Sequence, residues 1–297
     1  MFAVKGQARH PPKQGWPPDH AVTIVGVAIP MRDNRPQNRW TGRALYAAVW
    51  GLLRLDATRR GIDLAELERV RTYLRFRYRL DQARPADPLQ RPRTYFPGLT
   101  ARPWHDPAEF DFPPLIEASA DSIREELLGL LDGETFVPYR PDLALQGEWT
   151  TYMLWSFGLP FRENLARCPR TSALLDSLPV PHTAGLTYFS ALGPGTRVAP
   201  HCGPTNTRLR CHLGIIVPAG CAIRVGTTSR SWEEGRCIVF DDSFEHEVWN
   251  ESDRHRYVLI LDVWHPDLTP AEVWALSEVE RFSLLTSQRR RRKRALR

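Results

Sequence analysis

The sequence predicts a mainly β protein with flanking helices (α+β), whose core is a sandwich or a double-sheet barrel of the jelly-roll type. After Trp149, short apolar or alternating runs recur about every ten residues between turns that contain Gly or Pro, which is typical of antiparallel strands. Helical spacing of apolar residues is found before Gly133 and again after Thr269. With 297 residues, the chain is long enough to bury a substantial core.

The first helix is predicted to begin near Thr41. It follows a stretch rich in Pro, Arg and Asn, in which residues 22–29 are the one strand-like run. The apolar residues of this helix recur at the spacings of three and four that are typical of one helical face, and they are Leu45, Val49, Leu52 and Leu53. Gly61 interrupts the pattern, so we expect the helix to end before it.

A second helix and an extended segment follow. Asp63 with Glu66 is typical of a helix start, which predicts a helix through residues 67–74 that packs against the first one. Residues 85–114, which we call the arm, are rich in Pro and contain aromatic side chains that need burial. We therefore expect the arm to be ordered and extended. A helix over residues 115–131 should follow it.

The strand region is predicted from short runs bounded by Gly, Pro or Asp. The predicted strands are residues 150–157, 186–191, 209–217, 221–225, 236–240, 246–250 and 257–263. Thr269 and Glu272 then form a capping box, with Pro270 at the first helical position. This arrangement predicts a C-terminal helix that continues to about Thr286.

The net charge of +6 is concentrated near the C-terminus, where residues 289–294 are all Arg or Lys. The rest of the chain is close to neutral, so we expect no specific nucleic-acid partner and a disordered basic tail at residues 287–297. No apolar run approaches the ~20 residues of a membrane span. Residues 1–6 lack the apolar core of a secretory signal, which predicts a cytoplasmic protein. Five cysteines without CxxC spacing argue against a disulfide framework or a structural zinc site.

Two histidines in the strand region, His201 and His246, are candidates for a metal site. An imidazole pair presented by strands commonly holds a redox metal with open coordination positions. The usual third ligand is a carboxylate two residues after the first histidine, and here that residue is Gly203. From the residues alone, a damaged site, a two-histidine site and no metal site remain open. Arg256 suits the far carboxylate of a dicarboxylate co-substrate, because guanidinium pairs bidentately with carboxylate and stays protonated.

Three sequence blocks resemble, in one register, the aspartyl/asparaginyl β-hydroxylase family of Fe(II)- and 2-oxoglutarate-dependent dioxygenases. The blocks are HCGPTNTRLRCHL (201–213), FDDSFEHEVW (240–249) and DVWHPDLT (262–269). The resemblance is dense over residues 147–269 and thinner back to residues 95–99. It implies a double-stranded β-helix, a cupin-like jelly roll, in which glycine is the family residue at position 203.

The resemblance also implies how the metal is held. His201 and His246 would be the Fe(II) ligands, and water would fill the position that a carboxylate occupies in other iron oxygenases. Asp242, four residues before the second histidine, would orient that water as a hydrogen-bond acceptor. On this interpretation the metal site is intact, although it contains only two protein ligands.

For 2-oxoglutarate, the resemblance assigns the distal carboxylate to Arg256, with an added hydrogen bond from Ser190. Arg210 and His212 are two residues apart on one predicted strand and therefore face the same way. They would reach the metal-bound end of 2-oxoglutarate or the substrate. Trp149 would form a wall of the site.

The implied function is hydroxylation of the β-carbon of an aspartyl, asparaginyl or related amino-acid unit, free or in a peptide, with Fe(II), 2-oxoglutarate and O₂. Three alternatives remain: a natural-product or small-molecule hydroxylase, a halogenase, and a non-catalytic barrel that binds ligands. The presence of both histidines and of Arg256 argues against the last. The predicted organisation is an N-terminal region (1–93) of unknown role, a dioxygenase domain (94–286) and the tail (287–297).

Overall fold

Two antiparallel sheets pack face to face, and the residues of the candidate site lie between them. A computed structural model of the chain describes residues 39–133, 136–140 and 142–295. The strand predicted at residues 22–29 lies outside these ranges. Apolar side chains of both sheets share one core, which includes Tyr188 from the larger sheet and Ile223 from the smaller one.

Within the described residues, one sheet has eight strands and the other has five. In chain order the strands are β1 (Trp104–His105), β2 (Val137–Pro138), β3 (Ala144–Gln146), β4 (Trp149–Ser156), β5 (Leu159–Pro160), β6 (Leu186–Leu192), β7 (Arg197–His201), β8 (Arg208–Ile216), β9 (Cys221–Val225), β10 (Thr228–Arg230), β11 (Cys237–Phe240), β12 (His246–Asn250) and β13 (Arg256–Trp264). The larger sheet runs β1-β11-β8-β13-β6-β4-β2, with β5 beside β4, and the smaller sheet runs β10-β9-β12-β7-β3. The predicted mainly β jelly roll with flanking helices is confirmed.

The central strands of the larger sheet carry a different set of side chains on each face. Successive residues of a strand point to opposite faces. On β8, Leu209, Cys211 and Leu213 face outward into a core with the helices, whereas Arg210 and His212 face the space between the sheets. The strands β6 and β13 alternate in the same manner. The alternation therefore places polar side chains opposite the smaller sheet.

Helices cover the outer face of the larger sheet and form a further layer. In chain order they are α1 (Arg39–Arg59), α2 (Glu68–Arg77), α3 (Pro113–Ala118), α4 (Ala120–Leu131), α5 (Arg162–Ala166), α6 (Pro169–Ser177) and α7 (Pro270–Ala295). Ile123 and Leu127 of α4 and Leu175 of α6 pack in the outer core. In the part of the chain that the structure describes, no helix has the length and apolar character to cross a membrane.

The helices α1, α2 and α7 pack together around the arm. Their shared core includes Val49, Tyr73, Phe96 and Val279. The predicted capping box is present at the start of α7, since the backbone N–H of each partner donates to the other's side chain at 2.9 and 3.2 Å. Glu272 of this box also forms an ion pair with Arg69 of α2 at 2.6 Å, which joins the two helices.

The arm is ordered and extended, as predicted, and it contacts both segments that carry the candidate histidines. In the segment that follows His201, the Pro204 carbonyl accepts a hydrogen bond from the backbone N–H of Thr94 at 2.9 Å. Asn206 accepts from the Phe96 N–H at 2.7 Å and donates to the Phe96 carbonyl at 2.9 Å. In the segment that precedes His246, the Ser243 carbonyl accepts a hydrogen bond from the backbone N–H of Arg91 at 3.0 Å. The arm therefore spans the two segments.

Three sequence-based expectations need correction. Leu52 lies on the exposed side of α1, with 56% of its surface accessible. The helix predicted at residues 115–131 is interrupted at Ser119, whose hydroxyl donates to the Leu115 carbonyl at 3.1 Å and so competes with helical pairing. Helix α7 continues to Ala295, beyond the expected end at Thr286 and through most of the tail predicted as disordered, because Arg and Lys are good helix formers.

Candidate active site

A pocket lies between the two sheets. Seven of the eight predicted site residues line it, and they are Trp149, Ser190, His201, Arg210, His212, His246 and Arg256. The remaining lining is largely apolar and consists of Tyr188, Val198, Ile223, Phe240, Val248 and Ile260. Asp242 does not line the pocket, although its carboxylate contacts Arg210 from behind. The structure therefore brings together residues that are far apart in the sequence.

His201 and His246 lie side by side at the ends of two paired interior strands of the smaller sheet. His201 ends β7 and His246 begins β12, and the two residues are direct partners in the antiparallel register of these strands. Their ring centroids are 4.2 Å apart. Strand pairing alone thus places two imidazoles next to each other at one end of the pocket.

Backbone carbonyls select the tautomer of both rings. His201 Nδ1 lies 2.7 Å from the Ala199 carbonyl, and His246 Nδ1 lies 2.9 Å from the Phe244 carbonyl. A carbonyl only accepts hydrogen bonds, so each Nδ1 carries the hydrogen and each Nε2 keeps its lone pair. Burial lowers the pKa of His201 to about 4 and that of His246 well below its usual range. Both rings are therefore neutral at pH 7 and suited to bind a metal through Nε2.

The Asp242 carboxylate occupies the space beside Gly203. A Cβ atom added to Gly203 would overlap this carboxylate, so glycine is required for the two segments to approach. The Gly203 N–H donates to the Asp242 carbonyl at 2.5 Å. Asp242 Oδ2 pairs with Arg210 at 3.3 Å, while Oδ1 is buried without a protein hydrogen-bond partner. The carboxylate in the space beside residue 203 therefore belongs to Asp242 and not to residue 203 itself.

Arg210 is compensated within the protein. Its Nε lies 2.8 Å from Asp262 Oδ1, in addition to the contact with Asp242. Asp262 is fully buried and also accepts from the Leu186 N–H at 2.9 Å. Arginine stays protonated, and the two carboxylates raise the pKa of Arg210 further. The sequence analysis expected Arg210 to contact a ligand, and the structure places it in the pocket wall with its charge already paired.

Arg256 is not compensated in this way. It is buried in the pocket, and its Nε and Nη1 atoms have no hydrogen-bond partner among the residues that the structure describes. Burial lowers the pKa of Arg256 to about 10, so the guanidinium is still charged at pH 7. A buried, unpaired charge is unfavourable, and an anion entering the pocket would remove this penalty.

Two polar groups near Arg256 can assist in binding an anion. Ser190 accepts a hydrogen bond from Trp149 Nε1 at 3.0 Å, so its own hydroxyl hydrogen remains available to a ligand. The phenol oxygen of Tyr188 is buried without a well-formed hydrogen bond among the described residues, and the Tyr188 ring lies 5.5 Å from the Tyr139 ring between centroids. The sequence analysis missed Tyr188, although it lies two residues before Ser190 and therefore on the same face of β6. Strand periodicity would have been sufficient to find it.

His212 differs from the other two histidines. It lies on β8, faces the pocket, and has its Nε2 atom buried without a partner. Burial and the nearby Arg210 and Arg256 lower the pKa of His212 well below its usual range, so the ring is neutral. Its Nδ1 atom contacts Trp232, a residue that the sequence analysis did not identify. Trp232 lies between β10 and β11, where no strand pattern points to it.

Comparisons with known proteins show the family of this chain. The family model described as aspartyl/asparaginyl beta-hydroxylase matches residues 117–266. The human protein of that name is 40% identical over 183 residues, which are 59% of this chain and 24% of the relative. The ornithine lipid ester-linked acyl 2-hydroxylase of Rhizobium tropici is 36% identical over 193 residues, which are 61% of this chain and 68% of the relative. The chain thus spans about a quarter of the human relative's length.

Solved structures give more distant matches. A prolyl-4-hydroxylase from Pseudomonas putida covers 49% of this chain and 87% of its own, with 17% identity and a TM-score of 0.34. A prolyl hydroxylase from Trichoplax adhaerens covers 50% of this chain and 79% of its own, with 12% identity and a TM-score of 0.37. The family match rests on sequence and covers half of the chain, including the strands that carry both histidines and Arg256. The chain belongs to the aspartyl/asparaginyl beta-hydroxylase family.

Proposed function

We propose that the protein is an Fe(II)- and 2-oxoglutarate-dependent hydroxylase. The observation that carries the proposal is one pocket whose lining includes two adjacent imidazoles and a buried guanidinium that no described carboxylate pairs with. The imidazoles suit a divalent metal, and the guanidinium suits a dicarboxylate. Family membership supports the same combination.

His201 and His246 would hold the metal through Nε2, because their Nδ1 atoms are already bonded to carbonyls. Bound Fe(II), with 2-oxoglutarate and O₂, would supply the oxidant that inserts one oxygen atom into a substrate C–H bond, while 2-oxoglutarate becomes succinate and CO₂. Asp242 Oδ1 has no protein partner and lies beside Gly203. We assign it as the acceptor for water held between Gly203 and the histidines.

The 2-oxoglutarate carboxylates would be bound by donors that have no other partner. Arg256 would bind the distal carboxylate, and the Ser190 hydroxyl would donate to the same group. Arg210, held by Asp242 and Asp262, would contribute a fixed positive charge to the pocket wall. Trp149 and the apolar lining would exclude water from the reacting C–H bond.

The leading substrate class is an aspartyl or asparaginyl unit, hydroxylated at its β-carbon. A second candidate is favoured by the Rhizobium tropici relative, of which this chain covers 68%, compared with 24% of the human relative. That relative is named as a 2-hydroxylase of an ester-linked acyl chain. An aspartyl β-carbon and an acyl C2 are both methylene groups next to a carbonyl carbon. We therefore propose that the substrate presents a methylene next to a carbonyl.

Succinate release tests the reaction class. Purified protein with Fe(II), 2-oxoglutarate and O₂ should release succinate, and His246→Ala should abolish both iron binding and this release. His255→Ala is the matched control, because His255 is exposed and outside the pocket. Absence of iron binding and of succinate with every tested substrate would refute the proposal.

A substrate panel tests the substrate class. Peptides that contain Asp or Asn and lipids with ester-linked acyl chains would be incubated with the complete system and followed by fragmentation mass spectrometry. The expected result is a gain of one oxygen atom on the methylene next to a carbonyl. Oxygen on a different carbon would contradict the proposed class, and incorporation of chlorine would favour the halogenase alternative.

A further inference from the structure

Trp232 contacts His212 and Arg256, two residues that line the pocket. The residue lies between β10 and β11 and is buried, with 4% of its surface exposed. Its indole Nε1 lies 3.2 Å from His212 Nδ1. The Arg256 guanidinium carbon lies 4.8 Å from the centroid of the indole ring. One side chain therefore joins two residues from neighbouring strands, β8 and β13.

The backbone holds Trp232 in this position. Glu234 forms a bridge with Gly214 of β8, and Gly235 N–H donates to the Gly214 carbonyl at 2.8 Å. A Cβ atom added to Gly214 would overlap the Glu233 carbonyl and lie 3.3 Å from the Trp232 Cβ. Glycine at 214 thus allows the 232–235 segment to lie directly on β8, which brings the indole to His212.

The indole fixes the tautomer of His212. An indole N–H only donates hydrogen bonds, so His212 Nδ1 must accept and cannot carry a hydrogen. In the neutral ring the hydrogen is then on Nε2, the atom that is buried without a partner. The two ring planes are inclined by 11° with their centroids 6.0 Å apart, and the indole Nε1 lies within hydrogen-bond distance of His212 Nδ1. A carboxylate only accepts hydrogen bonds, and His212 Nε2–H is therefore a matched donor.

The three pocket histidines are thereby divided into two classes. His201 and His246 donate from Nδ1 to carbonyls and keep a lone pair on Nε2. His212 accepts at Nδ1 and presents hydrogen on Nε2. The first class can bind a cation and the second can donate to an anion. The chemical nature of the Nδ1 partner, carbonyl or indole, decides between them.

The same indole also stabilises Arg256 before a ligand arrives. Guanidinium above an aromatic face is attracted by the ring quadrupole, and the attraction is larger in a desolvated site. Burial leaves Nε and Nη1 of Arg256 without hydrogen bonds, so the indole face is a contact that orients the fork. Both consequences of Trp232, donor state and guanidinium orientation, favour binding of a carboxylate.

We propose that Trp232 is a positioning residue for the acidic co-substrate, which sets His212 as a hydrogen-bond donor and holds Arg256 above its ring. The identity of the co-substrate as 2-oxoglutarate rests on the proposed function. The effect on the His212 tautomer does not, because it is a property of the protein alone.

The tautomer can be read without iron or 2-oxoglutarate. In protein labelled with ¹⁵N-histidine, long-range ¹H–¹⁵N spectra distinguish a protonated from an unprotonated ring nitrogen, and a His212→Gln variant assigns the signal. Unmodified protein should show His212 with hydrogen on Nε2, opposite to His201 and His246. Trp232→Phe retains an aromatic face and removes the N–H, so the His212 signal should move towards a mixture of tautomers. Hydrogen on Nδ1 in the unmodified protein, or no change in Trp232→Phe, would overturn the tautomer assignment.

Kinetics test the effect on the co-substrate. Trp232→Phe should raise the 2-oxoglutarate concentration at half-maximal succinate release by about threefold to tenfold, and Trp232→Leu should raise it by about tenfold or more, because the cation–π contact is also lost. The maximal rate at saturating 2-oxoglutarate should change by less than the half-saturating concentration does. A change confined to the maximal rate would overturn the positioning role.

Trp155→Phe is the matched control. Trp155 is partly buried, packs in the outer core and stacks on His182, away from the pocket. The Trp155→Phe variant should leave the His212 signal and the 2-oxoglutarate requirement unchanged at a comparable cost in thermal stability. If the half-saturating 2-oxoglutarate concentration rose equally in this control, the effect would be due to lost stability and the proposal would be overturned. Failure of the unmodified protein to release succinate would count against the proposed function alone, since the tautomer measurement stands apart from it.

Discussion

Arg256 has the energetic signature of a residue that serves a ligand. Its guanidinium is buried, charged at pH 7 and without a carboxylate partner, whereas Arg210 on the neighbouring strand has two. An uncompensated buried charge destabilises the folded state, commonly by several kcal/mol. The folded protein without ligand therefore carries a penalty that an anionic ligand relieves.

Arg256→Met should change stability and binding in opposite directions. Removing the unpaired charge should raise the free energy of unfolding by about 1–4 kcal/mol in the absence of ligand. The same change should weaken 2-oxoglutarate binding at least about 100-fold, because two charge-assisted hydrogen bonds are lost. Urea unfolding and equilibrium binding measure the two effects. Arg254→Met, at an exposed neighbouring position, is the control and should alter neither.

Gly203→Ala should destabilise the protein even though its backbone angles suit alanine. The new methyl group would overlap the buried Asp242 carboxylate, which pairs with Arg210. Overpacking of this kind costs about 1–3 kcal/mol. In Gly129→Ala the new methyl group meets open space on α4, and the control should be as stable as the unmodified protein or up to ~1 kcal/mol more stable. Equal urea midpoints for Gly203→Ala and unmodified protein would contradict the contact.

At the residue scale, sequence reasoning identified most of the residues that line the pocket and missed those that hold them in position. His201 and His246 were identified because they lie in blocks that match a family, and Arg256 because it follows the second histidine by ten residues and suits a carboxylate. Trp232 was missed because its role depends on a loop that Gly214 brings onto β8, and no periodic pattern encodes that contact. The tautomers were also out of reach, since they depend on partners that only the folded chain defines.

Among the elements, the arm connects the two segments that carry the candidate histidines. It hydrogen-bonds to the segment after His201 through Thr94 and Phe96, and to the segment before His246 through Arg91. Both histidine-bearing segments are therefore hydrogen-bonded to the arm, in addition to the direct β7–β12 pairing. The arm thus adds a second connection between the two segments, besides the strand pairing that places the imidazoles next to each other.

Asn206→Ala should loosen the arm. The amide of Asn206 makes two hydrogen bonds to the backbone of Phe96, and both Asn206 and Phe96 are buried. Leaving the N–H and C=O of Phe96 without partners should cost about 2–5 kcal/mol in unfolding free energy. Trypsin should then cleave the arm faster. Gln146→Ala, which removes one exposed amide hydrogen bond, is the control, and equal cleavage in both variants would contradict the proposed connection.

The elements with regular apolar patterns were predicted from sequence, and the irregular ones were not. The strands β4, β6, β8, β9 and β13 were found within a residue or two, because buried residues alternate or run together in them. The strand β7, with the sequence RVAPH, contains little apolar pattern and was missed although it carries His201. The short helices α5 and α6 were missed for the same reason, since they pack only part of their length.

For the whole molecule, buried histidines predict a loss of stability in acid. Burial lowers the pKa of His105 and His201 to about 4, compared with ~6.5 in an unfolded chain. Between these values the unfolded state binds more protons, so the free energy of unfolding falls as pH decreases from ~6.5 to ~4. Asp241 acts in the opposite direction, because burial raises its pKa to about 7 and the folded state then holds the extra proton.

Two variants separate these contributions. Between pH 6.5 and 4, His105→Gln should reduce the decrease in the free energy of unfolding by up to ~3 kcal/mol. Asp241→Asn should make it steeper, since the opposing group is removed. Urea unfolding at several pH values measures both slopes. Identical slopes in the two variants and the unmodified protein would show that these groups do not control the acid transition.

The alternation of side chains along the larger sheet has a consequence for how the molecule can change. On β8, Leu209, Cys211 and Leu213 hold the sheet to the helices, while Arg210 and His212 on the opposite face serve the pocket. The two sets of side chains belong to the same strand but lie on opposite faces of the sheet. Substitutions on the pocket face therefore leave the contacts with the helices in place. The barrel can thus acquire a new substrate by changes on one face, while the other face continues to supply the packing that keeps it folded.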